Sequence, residues 1–385
     1  MKAITIDSGE LLANLQKLIS INSVNPSLVA GGRGEGEIAA YIGGYLQNLG
    51  LAVRYQELAP GRVNVIGILK GTGGGRSIIL NGHTDTVSLD KMTIEPLAPV
   101  YKDGKVYGRG SIDMKGGLAA AIAAVRAIAA GGPLRGDVIL ACVADEEYAS
   151  IGTDALVRDY TADAAIVCEP SGLGVGIAHK GFAWIDIAVH GLAAHGSKPE
   201  LGIDAIVKAG KILVGLEALG EKLAAVRHPL LGPGSVHASL IEGGTELSTY
   251  PDRCLIKIER RTIPGETGAT VAAELEALFA GIAAADPQFK ADCNIFLHRP
   301  HFEIATDAPI VALLAQAYGR VAGKAPHYMG FSGWLDSAIL AGAGIPTVIF
   351  GPDGEGLHAA SEYVDFASVV TTAEVLADTV VAFCR

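Results

Sequence analysis

The sequence predicts an α/β protein in which a doubly wound, mostly parallel sheet domain is interrupted by a smaller α+β domain of antiparallel sheet and two helices. Three observations carry this. Short apolar runs alternate with helical patterns over the first 170 residues, single alternation takes over from about residue 179, and after "RPHFEI" the first pattern returns.

Taken in order, "VNVIGIL" (63–69), "SIIL" (77–80), "DVILACVA" (137–144) and "AAIVC" (164–168) read as strands, with helices at 115–129 and near 152–159 between them. "GFAWIDIAVHG", "SVHASLIEG", "DRCLIKIERRTI" and "FKADCNIFLH" then read as largely antiparallel strands, with helices at 202–217 and 267–284. The last part predicts helices at 308–322 and 333–342 and a buried strand, "IPTVIFG", at 345–351. The expected division is therefore 1–178 with 300–385 as one domain and 179–299 as an insertion within it.

Half of the 385 residues are hydrophobic, which supplies two packed cores and excludes disorder. Gly at 50 residues and aromatics at 6% suit a loop-rich α/β protein with Ala-rich helices. A formal net charge of −11 without a basic cluster argues against nucleic acid or an anionic membrane as partner. Cys142, Cys168, Cys254, Cys293 and Cys384 are odd in number, widely spaced and free of Cys-x-x-Cys, which reads as thiols in a reducing compartment, with the cytoplasm as the expectation. "MKAITIDSGELLANLQKLIS" lacks an apolar leader segment, and "GGLAAAIAAVRAIAAGG" is interrupted by Arg126, so neither a signal peptide nor a membrane span is expected.

The apolar strands end on acids and histidines. His83 and Asp85 come after "SIIL", Asp145, Glu146 and Glu147 after "VILACVA", Glu169 after "AAIVC", and His358 after "PTVIFGPDGEGL". Ligands of open α/β sheets collect outside the carboxyl ends of the strands, so these endings converge on one rim, and Asp113 in "GRGSIDMKGG" joins them. Each residue has a plain reading alone: a turn histidine, a solvated Glu pair, a helix N-cap at Asp113 with Gly116–Gly117 as flexibility, a loop histidine. Together, two His and several carboxylates need cations, because crowded unpaired carboxylates repel one another. Imidazole plus carboxylate suits Zn²⁺.

"HTD", "GRGSIDMKGG", "DEE", "CEP" and "GLHAASEYV", in this order and spacing, resemble the co-catalytic zinc deacylases and exopeptidases, the family of acetylornithine deacetylase and succinyl-diaminopimelate desuccinylase. The similarity runs over essentially the whole chain, including "HGLAAHGS" and "ERRTIPGE". The resemblance implies Asp113 as a bridging carboxylate, His83 and Glu169 completing one metal site and Glu147 and His358 the other. It implies Glu146 as general base and later proton donor, and Asp85 as the acid that orients His83. The implied cofactor is two Zn²⁺, with Co²⁺ or Mn²⁺ as substitutes, and the implied state a homodimer with the insert as lid and dimerisation domain.

His195 is either a surface histidine or, as the resemblance implies, a donor to the tetrahedral oxyanion reaching across a dimer. Arg261 is either a cross-strand ion-pair residue or a clamp for a substrate carboxylate, with Arg260 competing for that role. Ser248 and Thr249 stand where many relatives carry an asparagine, and Leu335, with Trp334 beside it, where several carry a threonine. Ser248 and Trp334 are accordingly candidate substrate contacts. The expected activity is metal-dependent removal of an acyl group from an N-acyl amino acid or related small amide. The alternatives are a dipeptidase or carboxypeptidase acting on a short peptide, and a non-enzymatic metal-binding dimer. A nucleotide binder is disfavoured by the lack of a strand–glycine loop–helix fingerprint near the start.

Overall fold

The computed structural model describes residues 5–385; the opening Met1–Ile4 of the segment read for a leader lies outside the described residues. The chain divides into two compact units. One comprises the residues up to Ile177 with Ile304–Met329 and Leu335–Arg385; the other comprises Ala178–Glu303 with Gly330–Trp334. Segments 300–303 and 330–334, expected with the first domain, thus cluster with the insert.

The sheet of the first unit runs in the order Ala52–Ala59, Arg62–Leu69, Val138–Val143, Ile78–His83, Ala164–Val167, Thr347–Ile349, Val175–His179, and the chain leaves the unit along the last of these. Its centre is parallel: 138–143 with 78–83, 78–83 with 164–167, and 164–167 with 347–349. Its margins are antiparallel, including 62–69, which the apolar alternation places among parallel strands. The sheet as a whole is therefore mixed around a parallel core. Ile78 and Leu80 enter one hydrophobic cluster while Ile79 between them is equally buried, so the central strands are covered on both faces. Helices Gly116–Gly131 and Phe366–Cys384 pack against each other, as do Ile151–Asp159 and Ser337–Gly342. The helix expected at 333–342 begins only at Ser337, after Asp336.

The sequence pattern gives no sign of a second small sheet in which Lys105–Tyr107 pairs with Tyr363–Asp365, Val106 opposite Val364. It joins the segment that leads to Asp113 to the one beyond His358.

The other unit has a four-stranded antiparallel sheet in the order Ser235–Gly243, Arg253–Thr262, Gly181–His190, Lys290–Arg299. Alternate residues Ile185, Ile187 and Val189 face Ile256, Ile258 and the buried sides of helices Ala205–Ala224 and Gly268–Ala285 in one core. Among the described residues, three helical segments are apolar and long enough to span a membrane on composition alone; Phe366–Cys384 and the segment 111–131, which includes the turn before helix Gly116–Gly131, are mostly buried, whereas Gly268–Ala285 buries chiefly Val271 and Leu275.

Candidate active site

Three parallel strands end at one level. Asn81 lies opposite both Ala141 and Val167, so His83, two residues on, comes level with Val143 and Glu169. Asp113 sits in the turn Ser111–Lys115, directly before helix Gly116–Gly131. That helix starts hard against a strand end: a Cβ on Gly117 would lie 1.8 Å from the Cys168 carbonyl oxygen. Close approach, and not flexibility, explains the glycine there. Asp145 (φ +72°) and His358 (φ +58°) both occupy the left-handed region, which is uncommon outside glycine.

These loops bring six side chains together. The Nε2 of His83 lies 3.2 Å from Asp113 Oδ1, 3.5 Å from Glu169 Oε1 and 3.9 Å from Glu146 Oε2. The Nε2 of His358 lies 3.1 Å from Asp113 Oδ2 and 3.0 Å from Glu147 Oε2. Asp113 therefore does not cap the helix; its carboxylate lies between two imidazoles. The donor atoms of His83, Asp113 and Glu147, and those of His83, Glu146 and Glu169, fall within 4.8 Å of one another, as metal-binding groups do.

Asp85 differs from the simplest expectation. His83 Nδ1 meets the Asp85 backbone carbonyl at 3.0 Å and its carboxylate only at 3.5 Å. A carbonyl oxygen only accepts, so Nδ1 carries a proton and Nε2 is turned towards the acids. The Asp85 carboxylate is used elsewhere: it accepts from Asn25 at 2.8 Å and from the backbone N–H groups of Glu146 and Glu147, both at 3.2 Å. It orients the Glu pair as well as the histidine.

Burial pushes Glu146 and Glu169 well above the ordinary carboxylate range, neighbouring acids adding to it, and pushes Glu147 up to about 7, helped by the charge of Asp113. Asp113, although burial opposes it, is held well below that range by His358 and His83. Asp113 and Glu147 raise His358 to about 10. Glu147 Oε1 is buried with no hydrogen-bond partner among the described residues. Acids driven towards neutrality by burial, with their neighbours adding to it, an acceptor left unsatisfied and two imidazoles among them, fit divalent cations.

Behind the cluster lies a buried network that motif reasoning missed. Arg62 donates to both oxygens of Glu35 (2.7 and 2.9 Å) and to Asp145 Oδ1 (2.6 Å), and Asn25 bridges Asp145 and Asp85. Glu362, inside the motif "GLHAASEYV", is paired with Arg109 at 2.7 Å. Thr153 donates to Asp336 at 2.7 Å, and burial lifts the Asp336 carboxyl to about 6. No local signal in the sequence marks these residues, because their partners lie far along the chain.

In the other unit, His195 forms an isolated bridge with Thr249, its Nδ1 lies 2.8 Å from Ser197 Oγ, and Gly196 N–H bonds the Ser248 carbonyl at 2.7 Å. Two segments singled out separately in sequence are thus adjacent. Arg260 is spent: its buried guanidinium binds both Glu266 and Glu274. Arg261 is partly exposed and pairs with Glu259 at 2.7 Å, with its guanidinium over Phe182. Trp334 donates to the Pro300 carbonyl at 2.9 Å and meets His179 and Phe182 edge-on, so its indole N–H is already engaged.

One buried and one exposed imidazole among mostly buried carboxylates, gathered at the strand ends of a mixed α/β sheet, mark a metal-dependent enzyme. Residues 79–382 match Peptidase family M20/M25/M40, and the chain belongs to that family. It is a metal-dependent hydrolase, an amidohydrolase or exopeptidase, as the motifs implied. It is 30% identical to N-formyl-4-amino-5-aminomethyl-2-methylpyrimidine deformylase of Bacillus subtilis, over 97% of this chain and 95% of that one. It is 32% identical to acetylornithine deacetylase of Myxococcus xanthus over 84% of each. Its fold is similar to that of aminopeptidase PepT from Bacillus cereus (TM-score 0.79, 24% identity, 99% and 100% of the two chains). The Bacillus subtilis YXEP protein, a dinuclear metal-binding peptidase, is similar at TM-score 0.77 and 18% identity, over 98% of each chain.

Proposed function

We propose that the chain is a di-zinc amidohydrolase that removes the acyl group from an N-acyl amino acid or a related small amide. The presentation of Asp113 carries this reading: its two oxygens face different imidazoles, His83 at 3.2 Å and His358 at 3.1 Å. A carboxylate shared in this way suits a bridge between two cations. His83 and Glu169 complete one half-site, Glu147 and His358 the other. Imidazole and carboxylate donors suit Zn²⁺, with Co²⁺ or Mn²⁺ as substitutes.

When bound, the ions supply Lewis acidity and lower the pKa of a water. Glu146 accepts a proton from the attacking water and returns it to the departing nitrogen. His195 donates to the oxyanion from the partner subunit of a homodimer, whose contacts come from the inserted lid domain. Arg261 clamps the substrate carboxylate, with Ser248 and Trp334 as further contacts. The two relatives named as a deformylase and a deacetylase support cleavage of an acyl–nitrogen bond. The cytoplasm is the proposed compartment, supported by five free cysteines, and the net charge of −11 supports a partnership with neither nucleic acid nor membrane.

The test is a turnover screen of zinc-loaded protein against N-formyl, N-acetyl and N-succinyl amines and amino acids, their carboxamides, and dipeptides. Cleavage of N-acyl amino acids in preference to their carboxamides is expected. Cleavage of dipeptides alone would replace the deacylase reading with the exopeptidase one.

A further inference from the structure

Glu362 lies four residues beyond His358, is fully buried, and is not one of the candidate ligands. Its Oε1 accepts the backbone N–H groups of Ile112 (3.0 Å) and Asp113 (3.2 Å). Its Oε2 accepts the N–H of Gly110 (3.0 Å) and the Nη1 of Arg109 (2.7 Å). Arg109, also buried, reaches onward with Nη2 to the Ala359 carbonyl (3.1 Å) and with Nε to the Ser88 carbonyl (3.0 Å). The Gly108 N–H returns to the Glu362 carbonyl at 3.2 Å.

The segment that carries Asp113 is therefore folded around one carboxylate belonging to the segment that carries His358. The backbone of Asp113 is itself one of the donors, so a displacement of Glu362 moves Asp113 directly. Four donors on an ionised carboxylate, two of them in adjacent peptide units, form a stiff junction. The small sheet pairing 105–107 with 363–365 brings the two segments side by side but leaves the final turns to be set by side chains.

We propose that the Glu362–Arg109 pair is a positioning device: it sets the separation of the Asp113 and His358 loops, and so the affinity of the metal ion held between Asp113, Glu147 and His358, without touching an ion. This rests on the two-ion reading of the site. Glutamine at 362 offers one acceptor oxygen and turns an NH₂ group towards two donors, so either the Ile112 and Asp113 N–H groups or Gly110 and Arg109 lose their acceptor. Lysine at 109 keeps the charge but cannot reach three acceptors at once as the planar fork does.

Apo-protein of the wild type, Glu362→Gln and Arg109→Lys is titrated with Zn²⁺ in competition with a chromophoric chelator, and with Co²⁺ followed by visible absorption and EPR. Far-UV CD and thermal melts of the apo forms report folding. The wild type should take two ions. Glu362→Gln should bind its second ion at least ten-fold more weakly while keeping the first within about three-fold, and should lose the spin coupling of a Co²⁺ pair. Arg109→Lys should move in the same direction by less; should Glu362→Gln not fold, Arg109→Lys alone decides. Wild-type affinities for both ions in a folded variant, or equal loss of both, overturn the inference and leave the pair a stabilising contact only. A wild type that binds a single ion overturns the two-ion reading itself, and the inference with it.

Discussion

Glu146 and Glu147 are neighbours with different company. The Glu147 carboxylate lies 3.0 Å from His358, whereas Glu146 stands 3.9 Å from His83. With Glu147 as ligand and Glu146 as proton carrier, Glu146→Gln should retain its zinc and lose about 10²–10⁴-fold in turnover. Glu147→Gln should lose zinc as well. Metal analysis beside initial rates checks both, and equal metal content with equal activity would contradict the assignment. Most members of the cluster were legible in sequence because they come after an apolar strand, where position along the chain and position in space coincide; Asp113, in a turn before a helix, was legible only through its motif. Glu362 and Arg62 were not: each is a charged residue whose partners lie far along the chain, and nothing local distinguishes it from a solvated one.

At the scale of elements, Arg62 shows what the buried network is for. The strand that begins with Arg62 feeds its guanidinium to Glu35 and to Asp145, which precedes the Glu pair, and all three side chains are almost wholly buried. Arg62→Met would strand two buried carboxylates and should cost about 3–5 kcal/mol, measurable by urea unfolding. A loss of well under 1 kcal/mol would mean that the carboxylates are compensated elsewhere. Helix Gly268–Ala285 ends on Asp286, which receives Lys208 (2.5 Å) and Lys211 (2.6 Å) from helix Ala205–Ala224, and these lysines hold its carboxyl down to about 2. A folded-state pKa below the ordinary 3.8 means that the stabilisation is fully present above about pH 3.8 and is lost as pH falls through about 2. Asp286→Asn should therefore be less stable than wild type at pH 5, with the gap narrowing by pH 3; a gap independent of pH would assign it to capping alone. The central strands and long helices were visible as apolar runs. The small sheet joining 105–107 to 363–365 was not, because three-residue strands with charged, exposed neighbours carry no period.

For the molecule as a whole, the sequence pattern led to a mostly parallel sheet, and the sheet is mixed around a parallel core. An apolar run such as "VNVIGIL" signals burial on both faces but carries no direction, so the antiparallel margins could not be read from it. His195 and the metal-ligand candidates lie in different units of one chain. If His195 acts across a homodimer, mixing inactive His195→Ala with inactive Glu146→Gln under subunit exchange should restore activity, since each mixed dimer would hold one site with both residues. No recovery, with exchange verified by mass spectrometry, would count against action in trans.

The strand Thr347–Ile349 enters a slot between Ala164–Val167 and Val175–His179 that the chain leaves open throughout the insert. On the ribosome this sets an order of events. The unit from Ala178 to Glu303 is nearly complete while the first unit still lacks a central strand and the helix Phe366–Cys384, and synthesis of the remainder takes roughly 4–16 s at 5–20 residues per second. Nascent chains stalled just beyond Glu303, with a linker long enough to clear the exit tunnel, should yield a protease-resistant insert and a digestible N-terminal segment; equal resistance of both would refute that order. His358 emerges later still, so a newborn chain passes through a stage in which its second-translated unit is folded and its ligand set cannot yet exist.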